Sequence, residues 1–306
     1  MNKQAGVVCA SGLGDGLLMM IAAERLTEAG YQARVFSDEH QSLSSLFPNH
    51  KFAPYPNQET LSHLDLIIIQ NDNSQRAREL LQKRSDHWHA IFPKWNKRLK
   101  QWIPGIDHLC DNTCPMAEHI ANACSKWLDL PASKSINLDW LEKEHHRKIR
   151  KRVVIHPTSR NPMKQWSKKQ FCSLAQRLKH EGFVPTFIVA DHERADWEDI
   201  EFDLPKFDAL IDVAKFIYES GYFIGNDSGL GHLASLLGIP TLTISDSPKR
   251  IKLWRPDWQI GLVVAPNLPV PNFKGVGMPW RDRYWRRFVS APRARRAFMR
   301  LTRMMS

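Results

Sequence analysis

The chain has 306 residues, of which 42% are hydrophobic and 25% are charged, and it carries a formal net charge of +11. This length suits two domains of ordinary size, and this balance excludes disordered, fibrous and collagen-like proteins. The longest apolar run, at residues 17–23, is far shorter than the about 20 residues that span a bilayer. Because polar and glycine residues interrupt any signal-peptide core at residues 11–15, we expect a soluble, cytoplasmic protein.

The first half of the chain predicts a strand, a glycine-rich loop, a helix and a second strand. These elements fall at residues 7–10, 12–16, 17–29 and 33–36, and a third, buried strand follows at residues 64–69. Such an order is typical of a βαβ unit with a parallel sheet.

The second half repeats this pattern after a mixed-charge run at residues 138–152, which predicts a solvated linker or a surface helix. Strands are predicted at residues 153–155, 184–190, 222–224 and 240–244, with helices at 166–181, 208–219 and 230–237. The sequence therefore predicts an α/β protein with two Rossmann-like domains, residues 1–150 and 151–268, followed by a basic segment at residues 269–306.

The basic segment concentrates much of the positive charge. One acid, Asp282, accompanies nine arginines in it: Arg281, Arg283, Arg286, Arg287, Arg293, Arg295, Arg296, Arg300 and Arg303. Clustered basic charge attracts the phosphates of nucleic acid, of anionic lipid or of a phosphorylated substrate. Composition alone leaves these three kinds of partner open.

Three loops follow predicted parallel strands, where ligands bind in such sheets: residues 12–16, 156–164 and 225–232. In the last loop, backbone N–H groups at a helix N-terminus suit an anion, and Ser228 adds a donor. His232 lies one helical turn after Ser228 and is expected to face the same ligand. Alternatively, Asp227 or Ser228 caps the helix.

The other two loops each admit a functional and a structural interpretation. Thr158, Ser159 and Lys164 suit a diphosphate, or else they form a surface turn with a solvated lysine. Asp15, at a loop-to-helix junction, suits a general base, or else it caps the helix. The glycines of this loop do not match a dinucleotide fingerprint, because Leu17 stands where the third glycine belongs.

Cysteines Cys110, Cys114 and Cys124, with His108 or His119, form a candidate set of metal ligands. In zinc sites, two or four residues more often separate the two ligands of a pair, and a second closely spaced pair supplies the other two ligands. We therefore expect ordinary reduced thiols and no metal.

Taken together, the three loops resemble the ADP-heptose:lipopolysaccharide heptosyltransferases, glycosyltransferase family 9. The segments that carry the resemblance are Gly14-Asp15, His-Pro-Thr-Ser at 156–159, Lys164-x-Trp166, Asn-Asp-Ser-Gly-Leu-Gly-His-Leu-Ala at 226–234 and Gly-Ile-Pro at 238–240. The sequence departs from the family pattern at Thr158 and Ser167, where glycine and proline are usual. It also lacks the proline that follows the Gly-Asp loop.

The resemblance implies a GT-B fold, with two Rossmann-like domains facing across a cleft. It implies an inverting, metal-independent transfer of heptose from ADP-heptose to an acceptor of the lipopolysaccharide-core type. Asp15 would be the catalytic base, with Gly12 and Gly14 near the acceptor. The donor would contact Thr158, Ser159, Lys164, Asp227, Ser228, Gly229, Leu230 and His232. No cofactor is implied, because the sugar nucleotide is a substrate.

The resemblance gives the basic segment two expected positions. It either packs back on the N-terminal domain or contacts the anionic inner face of the cytoplasmic membrane, with Trp280, Trp285 and Phe288 at the interface. Two other functions stay open: a GT-B enzyme with a different donor or a protein or non-lipid acceptor, and a non-catalytic basic binding protein. We expect no nucleic-acid partner, because no RNA-binding motif accompanies these aromatic residues.

Overall fold

The computed structural model describes residues 3–96, 98–99, 101–267 and 285–305. The chain divides into two compact units, Met1–Trp140 and Leu141–Ser306. This division falls before the boundary expected after residue 150. Residues before 151 already bond within the second unit: Arg147 N donates to Tyr218 O at 2.9 Å, and Ile149 N, at the start of the first strand of this unit, donates to Glu219 O at 2.8 Å.

In the described part of the first unit, six parallel strands form one sheet in the order β3-β2-β1-β4-β5-β6. The strands are β1 (Gln4–Val8), β2 (Gln32–Phe36), β3 (Lys51–Ala53), β4 (Leu66–Gln70), β5 (Trp88–Phe92) and β6 (His108–Leu109). The helices are α1 (Leu13–Glu28), α2 (His40–Leu46), α3 (Gln58–Leu61), α4 (Gln75–Gln82) and α5 (Met116–Leu128). This is the strand order of a dinucleotide-binding sheet.

Helix α1 begins at Leu13, earlier than the start predicted at residue 17. Gly12 precedes it with φ of 121°, a left-handed conformation that favours glycine. Gly16 is needed for packing, because a Cβ atom there would lie 2.6 Å from a Leu43 methyl group of α2. Close packing thus overrides the low helix propensity of these glycines, and the residues predicted as a loop form the first turn of α1.

Among the described residues of the second unit, five parallel strands form a sheet in the order β11-β10-β9-β7-β8. The strands are β7 (Ile149–His156), β8 (Val184–Phe187), β9 (Ser220–Asn226), β10 (Thr241–Ile244) and β11 (Gly261–Val264). The helices are α6 (Lys168–His180), α7 (Leu210–Tyr218), α8 (Gly229–Leu236), α9 (Arg250–Trp254) and α10 (Ala291–Met304).

The register of this second sheet places three loops at one edge. His156 at the end of β7 lies opposite Gly225 of β9, and Asn226 lies opposite Ile244 of β10. The approach of β7 to β9 requires glycine at position 225, because a Cβ atom there would lie 2.9 Å from the carbonyl oxygen of His156. The loops that follow β7, β9 and β10 therefore begin side by side.

The described part of the basic C-terminal segment, residues 285–305, packs into the core of the second unit. Helix α10 packs against α6 and β11 through one apolar face, formed by Ala291, Ala294, Phe298 and Leu301. Buried Trp285 before it donates its indole N–H to Met163 O at 2.9 Å. Instead of a separate appendage, the described part of the segment completes this unit. Trp280, Arg281 and Arg283 lie outside the described residues.

The longest helix among the residues that the structure describes is α1, with 16 residues. No described helix combines the length and the hydropathy needed to cross a bilayer.

Candidate active site

Asp15 in the first unit is held by one buried amide side chain. Gln70, which ends β4 and is 1% exposed, donates its Nε2 to Asp15 Oδ1 at 2.6 Å. Its Oε1 accepts from Ala10 N, after β1, at 3.3 Å. Gln70 therefore connects the carboxylate to the ends of two neighbouring strands and orients it.

Asp15 is not the N-cap residue of α1. Gly12 is the cap residue of α1, and Asp15 and Gly14 both lie within the first helical turn. Asp15 is half-buried, and the thiol of Cys9 lies in its electrostatic field. Burial raises the pKa of that thiol, and the negative charge of Asp15 raises it further, so Cys9 stays neutral.

In the second unit, Asn226 joins the two predicted donor loops. This side chain is 1% exposed at the end of β9. Its Oδ1 accepts from Trp166 N at 2.9 Å, and its Nδ2 donates to Pro157 O at 2.5 Å. Both ends of the loop at residues 157–166 are thus fixed to the strand that leads into Asp227.

Asp227 lies between two cations. Its Oδ2 is 3.6 Å from Lys164 Nζ and 3.4 Å from Arg250 Nε. Arg250 also donates to Asp246, with Nη1 and Oδ2 3.3 Å apart. Burial lowers the pKa of Arg250, but its hydrogen bonds to Asp246 and its attraction to Asp227 outweigh this effect and raise the pKa overall. The arrangement provides two cations that can exchange a carboxylate for a phosphate.

Two polar atoms beside Asp227 have no hydrogen-bond partner among the residues that the structure describes: Ser228 Oγ and His232 Nδ1. Ser228 is the cap residue of α8, yet its side chain makes no cap hydrogen bond. Burial lowers the pKa of His232, so its imidazole is neutral at neutral pH. Buried polar atoms without partners are rare in folded proteins. At a helix N-terminus the Ser228 hydroxyl can donate to an incoming anion, whereas a neutral imidazole can accept from a ligand hydroxyl.

Gly229 and Leu230 form the first turn of α8 and are half-buried. The first N–H groups of a helix have no intrahelical acceptor. This turn therefore offers backbone donors next to Ser228.

Thr158 and Ser159 donate their hydroxyl protons within the protein. Thr158 Oγ1 donates to Glu193 Oε2 at 2.8 Å, and Ser159 Oγ donates to Asn161 O at 3.0 Å. Both residues are buried. The two side chains therefore shape the loop, and toward a ligand they offer only acceptor lone pairs.

Sequence reasoning missed four polar residues that hold these sites: Gln70, Glu193, Asp246 and Arg250. The sequence pattern could have indicated Gln70, because this polar residue ends an otherwise apolar buried strand. Glu193 and Arg250 lie far along the chain from Thr158 and Lys164, and only the fold brings them together.

Both predicted donor loops fall within the part of the chain that matches a known family. The model of glycosyltransferase family 9 (heptosyltransferase) matches residues 94–273, more than half of the chain. The chain belongs to glycosyltransferase family 9. The match contains the loops at residues 156–164 and 225–232 and leaves Asp15 outside it. This family 9 protein is a glycosyltransferase, and the resemblance inferred from the sequence is confirmed.

Solved structures support the same fold for this family 9 glycosyltransferase. A glycosyl transferase family 9 protein from Veillonella parvula matches with a TM-score of 0.72 at 16% identity, covering 99% of this chain and 98% of that one. Escherichia coli heptosyltransferase WaaC with ADP matches with a TM-score of 0.67 at 13% identity, covering 97% and 99%.

Escherichia coli ADP-heptose lps heptosyltransferase II matches with a TM-score of 0.67 at 15% identity, covering 99% of each chain. These likenesses confirm the predicted GT-B fold class. A comparison with curated proteins found no significant match.

Proposed function

We propose that this family 9 glycosyltransferase transfers a heptose from ADP-heptose to an acceptor of the lipopolysaccharide-core type. The observation that carries the proposal is the pair of buried, unpartnered atoms, Ser228 Oγ and His232 Nδ1, beside the cations that flank Asp227. The choice of donor is supported by the similar protein WaaC, whose structures contain ADP and ADP-2-deoxy-2-fluoro heptose.

The donor diphosphate binds by exchange of ionic partners. Lys164 and Arg250 each lie within 3.6 Å of the Asp227 carboxylate, and Arg250 also pairs with Asp246, so these four charges sum to zero before the donor arrives. Both cations reorient toward the phosphates, and Ser228 O–H and the N–H groups of α8 add neutral donors. The imidazole of His232 is neutral, and its Nδ1 accepts a hydrogen bond from a hydroxyl of the sugar nucleotide.

The transfer reaction breaks one bond to the diphosphate and forms one bond to the acceptor. The acceptor oxygen attacks the anomeric carbon from the opposite face, and Asp15 takes the hydroxyl proton. The bonding pair between the anomeric carbon and the phosphate oxygen leaves with ADP, which inverts the configuration. Fixed cations and N–H dipoles stabilise the growing charge on ADP, so this route uses no metal ion and no cofactor.

The acceptor is proposed to lie at an anionic membrane surface that contacts helix α10. Arg296, Arg300 and Arg303 are exposed and spaced four and three residues apart, so they share one face of the helix. Two other arginines serve the fold: Arg286 donates to Gln165 O at 2.5 Å, and Arg295 pairs with Glu181. The exposed face thus offers charge for peripheral binding at the inner face of the cytoplasmic membrane.

Calorimetric titration of the chain with ADP, ADP-heptose, UDP and a panel of UDP-sugars tests the donor. We expect ADP-heptose and ADP to bind and the uridine compounds to bind far more weakly. Tighter binding of a UDP-sugar would assign the chain a different donor within the GT-B enzymes. Absence of binding by every nucleotide would favour a non-catalytic protein.

A further inference from the structure

A cluster of soft donors lies in the first unit and plays no part in the proposed transfer. It consists of His108, Cys110 and His119, called here the His-Cys-His cluster. One donor atom from each residue lies within 4.8 Å of the other two. His108 lies in β6, Cys110 follows that strand, and His119 lies in the first turn of α5.

The two imidazoles already face each other through their ring nitrogens. His108 Nε2 and His119 Nδ1 are 2.9 Å apart. Tetrahedral zinc with Zn–N bonds of about 2.0–2.1 Å places two nitrogen ligands about 3.3 Å apart. The 2.9 Å contact is a hydrogen bond between the rings, so zinc binding requires the rings to separate by a few tenths of an ångström and to turn until both lone pairs point at the ion.

The outer nitrogen of His119 is fixed by the backbone. His119 Nε2 lies 3.2 Å from the carbonyl oxygen of Asp111 and 3.5 Å from its carboxylate. A histidine that ligates a metal commonly donates its other N–H to a carbonyl or a carboxylate. Asp111 N also approaches His119 Nε2, at 3.4 Å, and a metal ion on Nδ1 would select the tautomer in which Nε2 donates to Asp111 O.

The third donor, Cys110, is buried and has a soft neighbour. Its Sγ lies 3.8 Å from Met116 Sδ, a weak contact that a metal–thiolate bond would replace. A thiolate with two imidazoles is a donor set that zinc prefers.

We propose that His108, Cys110 and His119 bind one Zn²⁺ ion, with the fourth position filled by Cys114 or a water molecule. Cys114 lies in the bend between β6 and α5, four residues after Cys110. Cys124 is not a ligand, because it lies five residues after His119 on α5 and so on another face of that helix.

The ion stabilises the edge of the first sheet. It links β6, a strand of two residues, to the start of α5 across the short connection at residues 110–115. This role is structural and independent of the donor site, which belongs to the second unit.

Zinc binding to the full-length chain, stripped of metal and kept reduced, tests the proposal. Competition with a chromophoric chelator should show one equivalent of Zn²⁺ bound, and zinc should raise the melting temperature. Cys110→Ser and His108→Gln should each weaken binding by at least about 100-fold, more than the about 10–100-fold typical of outer-shell partners. Cys172→Ser, on α6, is the matched control and should bind like the parent chain.

The absorption spectrum of bound Co²⁺ tests the proposal in the parent chain, so this test does not require that the variants fold. Co²⁺ added to the parent chain should produce a thiolate-to-cobalt charge-transfer band and the intense visible bands of a tetrahedral site. Both should persist in Cys172→Ser, and a smaller charge-transfer band in Cys114→Ser would assign that thiol to the fourth position. A parent chain that binds no stoichiometric zinc, or that shows no thiolate band, would overturn the proposal. So would folded Cys110→Ser protein that binds zinc like the parent.

Discussion

The two candidate sites of this glycosyltransferase differ in how completely the folded chain supplies their hydrogen bonds. In the first unit, Asp15 accepts from Gln70, whose own amide oxygen accepts from the backbone. In the second unit, Ser228 Oγ and His232 Nδ1 are buried without a partner in the described part of the chain. In the first site, both ends of the Gln70 amide are paired within the protein, whereas the second site leaves two buried polar atoms unsatisfied.

This difference indicates a division of roles. A carboxylate that takes a proton gains from a fixed orientation, which a neutral amide provides without adding charge. A site for a charged ligand binds it more strongly when its hydrogen-bond donors have no partner within the folded protein. Each such unsatisfied buried group costs about 1–3 kcal/mol of stability. The predictions below test whether the two units act in these separate ways.

The largest effect is expected in the first unit, on turnover alone. Asp15→Asn keeps the shape of the side chain and removes its basicity, so the rate of transfer should fall about 10²–10⁴-fold with donor affinity intact. The measurement is steady-state turnover at saturating donor. Asp86→Asn, in an exposed turn of the same unit, is the control and should retain the parent rate. Near-parent turnover in Asp15→Asn would leave Asp15 a purely structural residue.

The next effect is expected in the second unit, on binding. Lys164→Ala removes one of the two cations beside Asp227 and should weaken ADP binding by about 1.5–3 kcal/mol, or about 10–150-fold. Calorimetry with ADP measures this loss. The matched control, Lys169→Ala, alters an exposed lysine of α6 and should bind ADP normally. Unchanged affinity in Lys164→Ala would remove this lysine from the donor site.

A third prediction asks whether the second unit also contacts the membrane. Replacing Arg296, Arg300 and Arg303 by Gln should weaken binding to anionic vesicles by about 1 kcal/mol, or about fivefold, for each residue. Added salt should release the parent chain in the same way, because it screens the attraction. Co-sedimentation measures both effects, with neutral vesicles as the control. A triple variant that sediments like the parent would assign these arginines no role at the membrane.

The smallest effect gives the sharpest contrast between a structural and a binding hydroxyl. Ser228→Ala should weaken ADP binding by about 0.5–1.5 kcal/mol and should not lower the melting temperature, because its Oγ has no described partner to lose. Ser235, on the same helix, accepts from Trp258 N and Gln259 N at 3.0 Å each. Ser235→Ala should therefore lower stability. Equal loss of stability in both variants would contradict the assignment of Ser228.

Much of the fold could be predicted because buried parallel strands have a clear apolar signature. Strands such as β7 and β9 end in polar residues, and the rule that ligands bind at these ends indicated the two predicted donor loops. The start of α1 could not be predicted, since its glycines are tolerated only through packing such as that of Gly16 on Leu43. The core role of α10 was readable in the spacing of Ala291, Ala294, Phe298 and Leu301, but the arginines between them obscured it.

The site was predictable only where its residues are adjacent in the sequence. Asp227 and Ser228 share one motif, so the sequence alone groups them as candidates. Gln70, Glu193 and Arg250 depend on partners at least 23 residues away and were missed. For Thr158, the sequence suggested a ligand donor, but the fold gives its proton to Glu193. The sequence shows which side chains are present, but the register of the strands determines which of them come into contact.

The division of roles between the two units is tested most directly by titrating ADP into full-length Asp15→Asn and Lys164→Ala in parallel with the parent chain. The account predicts that Asp15→Asn binds ADP with the parent affinity, whereas Lys164→Ala binds it about 10–150-fold more weakly. A loss of ADP affinity in Asp15→Asn, or parent affinity in Lys164→Ala, would contradict it.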